Sequence, residues 1–347
     1  MYSPDFSISH EILKNISLIE AAREVIADAP LLPLWEKRFK EDALVRTAHH
    51  GTHVEGNSLN IHEAREIISG AQVLGRPRDI QEVINYRAVM DLLKDEQERG
   101  VERITEALIK KIHKIVVTNI LEDEKVGEYR LNQVVIKDSS TGDVTHKPPS
   151  PIEVPLLMRD FVYWINTQTS EKIHTVLKAG LVHHEFVRIH PFVDGNGRVG
   201  RAMATLVLLL GKYDIRNFFS LEEYYDKDPL NYYHHLAKAN DGDLTAWLEY
   251  FTLGVAIEFD RIKKDVLRLS KDSALKEKLG GRQIFISERQ RQVIEWIQQY
   301  GYLQNQQFSS ILPDVSEDTV VLDLKPLIEA GIIKKIGKTK GARYEMG

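Results

Sequence analysis

Apolar residues recur at three- and four-residue intervals along most of the chain, as in LIEAAREVIADA (18–29), IQEVINYRAVMDLL (80–93), ITEALIKKIHKIV (104–116) and VPLLMRDFVYWINT (154–167). That spacing lays an apolar stripe along a helix and predicts a mainly α-helical core. One stretch departs from it. RLNQVVIKDSSTGDVTHKPP, bracketed by Gly142 and by prolines at 148, 149 and 151, reads as extended and predicts a β-hairpin with its tip around Ser139 to Asp143. The most apolar run, AMATLVLLLG at 202–211, is about half of the ~20 residues that a bilayer-spanning helix needs, and so predicts a buried core helix.

The pattern changes toward the C-terminus. A charged, glycine-ended segment, RIKKDVLRLSKDSALKEKLGG (261–281), reads as a helical connector. Beyond it the periodicity predicts helices at about 287–300, 305–312 and 316–330, the last opened by Ser316 as N-cap, then Gly331, a short strand and a basic hairpin ending at Tyr344. Three helices followed by a hairpin is the order of a winged helix-turn-helix.

Composition narrows the class. At 347 residues, 43% hydrophobic and 28% charged, the chain is an ordinary globular protein with room for more than one domain. It has no cysteine, which removes disulfides, thiolate metal sites and cysteine nucleophiles and is compatible with a reducing cytoplasm. The start, MYSPDFSISHEI, lacks the basic-then-apolar pattern of a secretory signal, so the expectation is a cytoplasmic protein with no membrane segment. A net charge of −5 argues against chain-wide affinity for nucleic acid.

Candidate chemistry concentrates in HPFVDGNGRVGR (190–201). LVHHEFVRIH before it is helical, and Pro191 forces His190 out of the αR conformation at the helix end. Gly195, Asn196 and Gly197 reach positive φ cheaply and open a second helix, whose first backbone N–H groups form an anion site suited to phosphate. Arg198 and Arg201, three residues apart, project beside that same turn and can clamp phosphate oxygens. Asp194 would be repelled by phosphate unless a divalent cation such as Mg²⁺ lay between them. His190, with an ordinary pKa near 6.5, suits general-base work worth ~10²–10⁴ in rate. HHEFVRIH is not a zinc HExxH motif, because Arg188 stands where the second histidine is needed.

HPFVDGNGRVGR resembles the signature of Fic proteins, His-x-Phe-x-Asp/Glu-Gly-Asn-Gly-Arg-x-x-Arg, at every fixed position. GEYRLNQVVI (127–136) resembles that family's flap hairpin, KPPSPIEVPLLMRDFVYWIN the segment after it, and NYYHHLAKANDGDLTAWLEYF (231–251) the helix closing its nucleotide pocket, so the likeness covers about 80–257. It implies transfer of AMP from ATP to a Ser, Thr or Tyr hydroxyl of a protein substrate. His190 would be the base and Asp194 the Mg²⁺ ligand. Gly195, Asn196, Gly197 and Arg198 would cradle the α- and β-phosphates, and Arg201 would hold the γ-phosphate. Phe192 would anchor the core, and Tyr232, Tyr233 and Asn240 would border the adenosine. The flap residues Ile136, Lys137, Asp138 and Ser139 would register the target as an added strand; the family often has glycine where this chain has Lys137. Doc-like members, which transfer phosphate, carry lysine where Gly197 stands, so AMP transfer is implied here.

GTHVEGN (51–57) resembles the family's inhibitory motif, Ser/Thr-x-x-x-Glu-Gly/Asn. Glu55 and Gly56 match, Gly51 replaces the hydroxyl residue, and Thr52 is one step, about 100°, around the helix. By resemblance Glu55 pairs with Arg201 and withholds it from the γ-phosphate; self-modification and removal of AMP are further implied activities. The expected division is an N-terminal helical region at 1–103, a Fic-type core at 104–257, a connector at 258–281 and a winged-helix-like domain at 282–347. In that domain the third helix carries Glu317, Asp318 and Asp323 against Lys325, while Lys334, Lys335, Lys338, Lys340 and Arg343 cluster in the wing. Protein docking or support of a homodimer is expected ahead of DNA binding. The competing reading is a nucleotide-sensing, DNA-binding transcriptional regulator without turnover; the presence of His190 favours the enzyme, because a sensor needs no base.

Overall fold

The computed structural model describes residues 2–29, 33–137, 142, 144–213, 219–278, 287–313, 315–337 and 342–347. Asp138, Ser139 and most of the expected hairpin tip lie outside the described residues, as do Lys338 and Lys340. The chain divides into two compact units, Met1–Asp28 with Pro33–Lys264 and Ala29–Leu32 with Asp265–Gly347.

The first unit is helical, as the periodicity predicts. It opens with α1 (His10–Asp28), α2 (Pro33–His53), α3 (Ile61–Ile68), α4 (Pro77–Glu98) and α5 (Glu106–Val116). Thr105 sets the start of α5 by accepting a hydrogen bond from the Leu108 N–H, two residues later than the apolar pattern alone suggests. The extended stretch forms a short antiparallel pair, β1 (Ile136–Lys137) and β2 (Val144–His146), with an irregular register between Ile136 and Lys137. Then come α6 (Val154–Ile165), α7 (Gln168–Glu171), α8 (Thr175–Ile189), α9 (Asn196–Leu210), α10 (Glu222–Lys227) and α11 (Pro229–Lys238).

The apolar run at 202–211 is the body of α9, which packs against α8, α5, α4 and α2 and is therefore apolar on nearly every side. Val199, Ala202, Met203, Leu206 and Leu208 are all buried, and each large one contributes about 1.5–3 kcal/mol of transfer free energy. Because α8 and α9 pack against each other and are joined by residues 190–195, the signature loop is held at one end of a buried helix pair.

The next helix, α12 (Thr245–Lys278), begins in this unit and runs without interruption through the expected core–connector boundary at 257/258. Trp247 of α12 donates from its indole N–H to the Gly180 carbonyl at 2.8 Å. A Cβ at Gly180 would lie 2.9 Å from Leu248 Cδ2, so glycine is what lets α12 approach α8.

The second unit contains α13 (Glu288–Tyr300), β3 (Leu303–Gln304), α14 (Phe308–Ile311), α15 (Glu317–Glu329), β4 (Ile333–Ile336) and β5 (Arg343–Met346). The strands form an antiparallel sheet in the order β3-β5-β4. Ser287 and Gln290 build a capping box at α13, and Ser316 caps α15. The core is Val293, Ile297, Phe308, Leu324, Leu327 and Tyr344 with their neighbours. The three helices and the hairpin follow the expected order; β3 is additional. No helix among the described residues is long and apolar enough to cross a membrane.

Candidate active site

His190 ends α8 in the left-handed conformation, φ 51° and ψ 59°. This is uncommon for a residue other than glycine and turns the chain sharply into the loop. Its Nδ1 lies 3.3 Å from the Val187 carbonyl. A carbonyl only accepts, so Nδ1 carries the proton and Nε2 is left as the free lone pair. Burial pushes the His190 pKa down to about 4 and nearby His146 and Arg130 push the same way, against the Val187 hydrogen bond and Glu55. This corrects the ordinary value near 6.5 expected from the sequence: the ring is fully neutral at pH 7.

Two residues that the sequence reading passed over hold this loop. Arg130, almost fully buried, donates from Nε to the His190 carbonyl at 2.8 Å and from its other nitrogens to the carbonyls of Asn132 and Pro149, tying the loop to both sides of the flap. His113 stacks on Phe192 with ring centroids 3.7 Å apart. It accepts from the Gly127 N–H at Nδ1 and donates from Nε2 to the Asp194 carbonyl at 3.1 Å. A signal for His113 existed, since it lies on the apolar stripe of α5 with Ile109, Ile112 and Val116.

Gly195 is the left-handed N-cap of α9, φ 78°, and no side chain caps that end. Asn196 is buried, and its amide both accepts from the Phe192 N–H at 2.9 Å and donates to the Phe192 carbonyl at 2.8 Å. Its side chain thus pins the loop, and only its backbone N–H is available to a ligand. The first turn of α9 presents unpaired N–H groups at the positive end of the dipole.

Asp194 is already engaged by two guanidinium groups. Arg78 Nη2 is 2.6 Å from Oδ2 and Arg198 Nη2 is 3.2 Å from Oδ1. Burial opposes its ionisation, but Arg198 and Arg78 outweigh it and hold the carboxyl below the usual carboxylate range. Glu82 closes a ring, 3.1 Å from Arg78 and 3.2 Å from Arg198. The oxygen donors suit a hard cation such as Mg²⁺. Arg78, 57% exposed, can swing away from Asp194; Arg198, 3% exposed, cannot.

Arg201 is 1% exposed and pairs with Glu55, Nη1 to Oε1 at 2.8 Å. Its Nη2 donates to the Gly51 carbonyl at 2.8 Å, and Nη1 is 3.5 Å from the Tyr232 hydroxyl. Burial disfavours the charge, but Glu55 together with Tyr232, Tyr86 and Tyr233 outweighs it and raises the Arg201 pKa, so the cation persists. The Glu55 carboxylate also fills the space over Gly197, where an added Cβ would collide with Oε1. Gly51 stands against the Tyr86 ring, which leaves no room for a side chain. Thr52 is buried and turned back on its own helix, donating to the carbonyls of Ala48 and His49.

Of the residues expected at the adenosine, Tyr232 and Tyr233 have ring centroids 4.9 Å apart, and each of the three makes a different contact. Tyr232 is in the core, its hydroxyl 2.9 Å from His183 Nε2 and near Arg201, so it supports the arginine instead of offering an open face. Tyr233 is partly exposed and donates to the Val54 carbonyl at 3.1 Å, fastening the segment that carries Glu55. Asn240, in the turn that follows α11, has Nδ2 3.2 Å from His146 of β2, joining that turn to the hairpin. Ile136 and Lys137 are in β1. A separate cleft of about 400 Å³, lined by Arg103, Asn166, Thr175, Lys178 and Gly211 among others, includes none of these residues.

Residues 103–208 match the Fic/DOC family. Curated relatives include the protein adenylyltransferase Fic of Drosophila virilis, 29% identical over 216 residues, covering 62% of this chain and 41% of that protein. The corresponding protein of Drosophila mojavensis is 26% identical over 247 residues, covering 68% and 45%. The chain therefore spans less than half the length of these relatives. A solved Fic family protein from Desulfovibrio desulfuricans G20 superposes with a TM-score of 0.67 at 24% identity, covering 100% of this chain and 98% of that one. Fic-1 from C. elegans (aa134–508) superposes with a TM-score of 0.60 at 24% identity, covering 75% and 74%. These likenesses show a shared fold.

Proposed function

We propose that this chain, whose residues 103–208 form a domain of the Fic/DOC family, transfers AMP from ATP to hydroxyl groups of proteins and is held in check by Glu55. The observation that carries the reading is the convergence of His190, Asp194, Arg198 and Arg201 on the uncapped N-terminus of α9. A neutral imidazole, an ionised carboxylate and two cations around free N–H groups are what a nucleoside triphosphate and an incoming hydroxyl require.

In the proposed reaction the acceptor oxygen bonds to the α-phosphorus, the α–β phosphoanhydride bond breaks and pyrophosphate leaves. The hydroxyl proton passes to His190 Nε2, the nitrogen left free by the Val187 hydrogen bond. The N–H groups of Asn196, Gly197 and Arg198 take phosphate oxygens, and Arg201 takes the γ-phosphate once Glu55 releases it. Mg²⁺, when bound, offsets phosphate charge, and Asp194 would hold it after Arg78 turns away. The flap, from Ile136 and Lys137 to Asp138 and Ser139, receives the target segment, and the chain's own hydroxyls are candidate targets. Removal of AMP by the same site, with Glu55 aiding water, is part of the proposal.

For the C-terminal unit we favour a winged-helix role in protein docking or dimer support over DNA binding. Arg343 is 2.8 Å and Lys334 3.9 Å from Glu345, so part of the basic charge on the sheet is already spent. A cysteine-free, ATP-using enzyme fits the cytoplasm. The test of the reaction is labelling from α-³²P-ATP with Mg²⁺ and cell lysate: His190→Ala should bind ATP but label nothing. Labelling by His190→Ala at the wild-type level would remove the proposed chemistry.

A further inference from the structure

The end of α2 carries three histidines that the reaction does not use. His50 Nδ1 is 2.7 Å from Asp226 Oδ2 on α10, and His53 Nδ1 is 2.7 Å from Asp226 Oδ1. The His49 ring lies edge-on to His50 at 4.5 Å and stacks on His53 at 5.3 Å. One ligand atom each from His49, His50 and Asp226 falls within 4.8 Å of the others.

His49 makes this more than a polar cluster. It is 8% exposed, and its Nε2 lies 3.0 Å from the Leu59 carbonyl. The carbonyl fixes the proton on Nε2, so Nδ1 is a bare lone pair. That atom is buried and has no hydrogen-bond partner among the described residues. A buried acceptor without a donor calls for an explanation, and a metal ion supplies one.

We propose that His49, His50 and Asp226 bind a divalent transition-metal ion of the zinc class, with His53 holding the second carboxylate oxygen of Asp226. Two imidazoles and one carboxylate suit Zn²⁺ and leave a fourth position open, whereas Mg²⁺ favours oxygen donors. The contact of His53 with Oδ1 is the supporting hydrogen bond that orients a ligating carboxylate. Bonds of about 2.0–2.1 Å place tetrahedral ligands roughly 3.4 Å apart, so ligand atoms now up to 4.8 Å apart draw together by about 1.4 Å, while ligation through His50 Nδ1 replaces the proton it gives Asp226 Oδ2 and parts the two atoms from 2.7 Å by about 0.7 Å.

The ligands come from α2 and α10, and Glu55 lies two residues beyond His53. A bound ion would therefore tie the end of α2 in place and keep Glu55 on Arg201. This coupling rests on the proposed function; the binding site does not.

The full chain, freed of metal, is titrated with Zn²⁺ against a chromophoric chelator. One equivalent is expected to bind. His49→Gln and the nearly isosteric Asp226→Asn should each weaken it at least ten-fold, with circular dichroism confirming the fold, while His62→Ala on the exposed side of α3 should leave it unchanged. No stoichiometric binding, or wild-type affinity in both folded variants, overturns the site. Hydrogen exchange of residues 50–56 should slow with Zn²⁺ in the wild type and not in Asp226→Asn. Binding with unchanged exchange removes the coupling to Glu55. A failure of AMP labelling would sink the proposed function and leave the titration result standing.

Discussion

Replacing Glu55 with glycine should move stability and ATP affinity in opposite directions. Arg201 is 1% exposed and the Glu55 side chain 28% exposed, so the pair lies between two limits. Breaking a fully buried pair costs about 3–5 kcal/mol, and exposed pairs contribute about 0–1 kcal/mol. The Gly51 carbonyl and the Tyr232 hydroxyl stay near the guanidinium, which places the loss near ~2 kcal/mol. The nucleotide-free variant should thus melt several degrees lower. The same ~2 kcal/mol is what ATP no longer spends in displacing Glu55, which predicts roughly 30-fold tighter binding. Calorimetric titration with a non-hydrolysable ATP analogue, thermal melts with and without it, and self-labelling from α-³²P-ATP read the three quantities. ATP affinity within about three-fold of wild type, together with unchanged labelling, would refute the competition.

The remaining expectations concern other contacts of the site. Arg78→Ala removes an exposed cation from Asp194 and should lower the Mg²⁺ concentration for half-maximal labelling by a few-fold, in keeping with ~0–1 kcal/mol for such pairs; an unchanged or raised requirement would count against Asp194 as the metal ligand. Because burial pushes the His190 pKa to about 4, kcat/KM for labelling should stay flat from pH 8 to about pH 5 and fall only below that, as the base becomes protonated; half-loss near pH 6.5 would show an unshifted base. Gly51→Ser places a side chain in the Tyr86 ring and should destabilise the first unit by about 1–3 kcal/mol, read by urea denaturation, with Tyr86→Leu restoring part of the loss.

The helical core was legible because its stripes are long: α4, α5 and α6 each carry apolar residues at helical spacing, and the unbroken run in α9 matches a helix surrounded by others. β3 was not, since two residues, Leu303 and Gln304, carry no alternation and pair only through β5. Within the signature the sequence carried which side chains cluster, because one loop between two packed helices contains them all. It did not carry their partners. Arg78, Glu82, Arg130 and His113 arrive from α4, α5 and the flap, and pairing across elements leaves no local spacing to read. Gly51 illustrates the same limit: its departure from the inhibitory motif is explained by Tyr86, 35 positions further along the chain.

Asp194 and Arg201, two of the charged groups that substrate would engage in the proposed reaction, are each occupied by the chain itself, and the two contacts differ in kind. Asp194 is covered by Arg78 at 2.6 Å, but Arg78 is 57% exposed and returns to water when displaced. Its removal costs little, since hydration replaces the lost pair. Arg201 has no such exit, because it is buried whether Glu55 or a phosphate faces it. Only another anion can replace Glu55 without leaving a buried cation uncompensated. A metal ion alone can therefore open the first contact, whereas the second yields to a triphosphate or to movement of residues 51–56. In the proposed reaction, control would then act through the end of α2, where Tyr233 holds the Val54 carbonyl and Asp226 holds His50 and His53. A signal loosening those contacts would free Arg201 without touching the other residues of the proposed transfer.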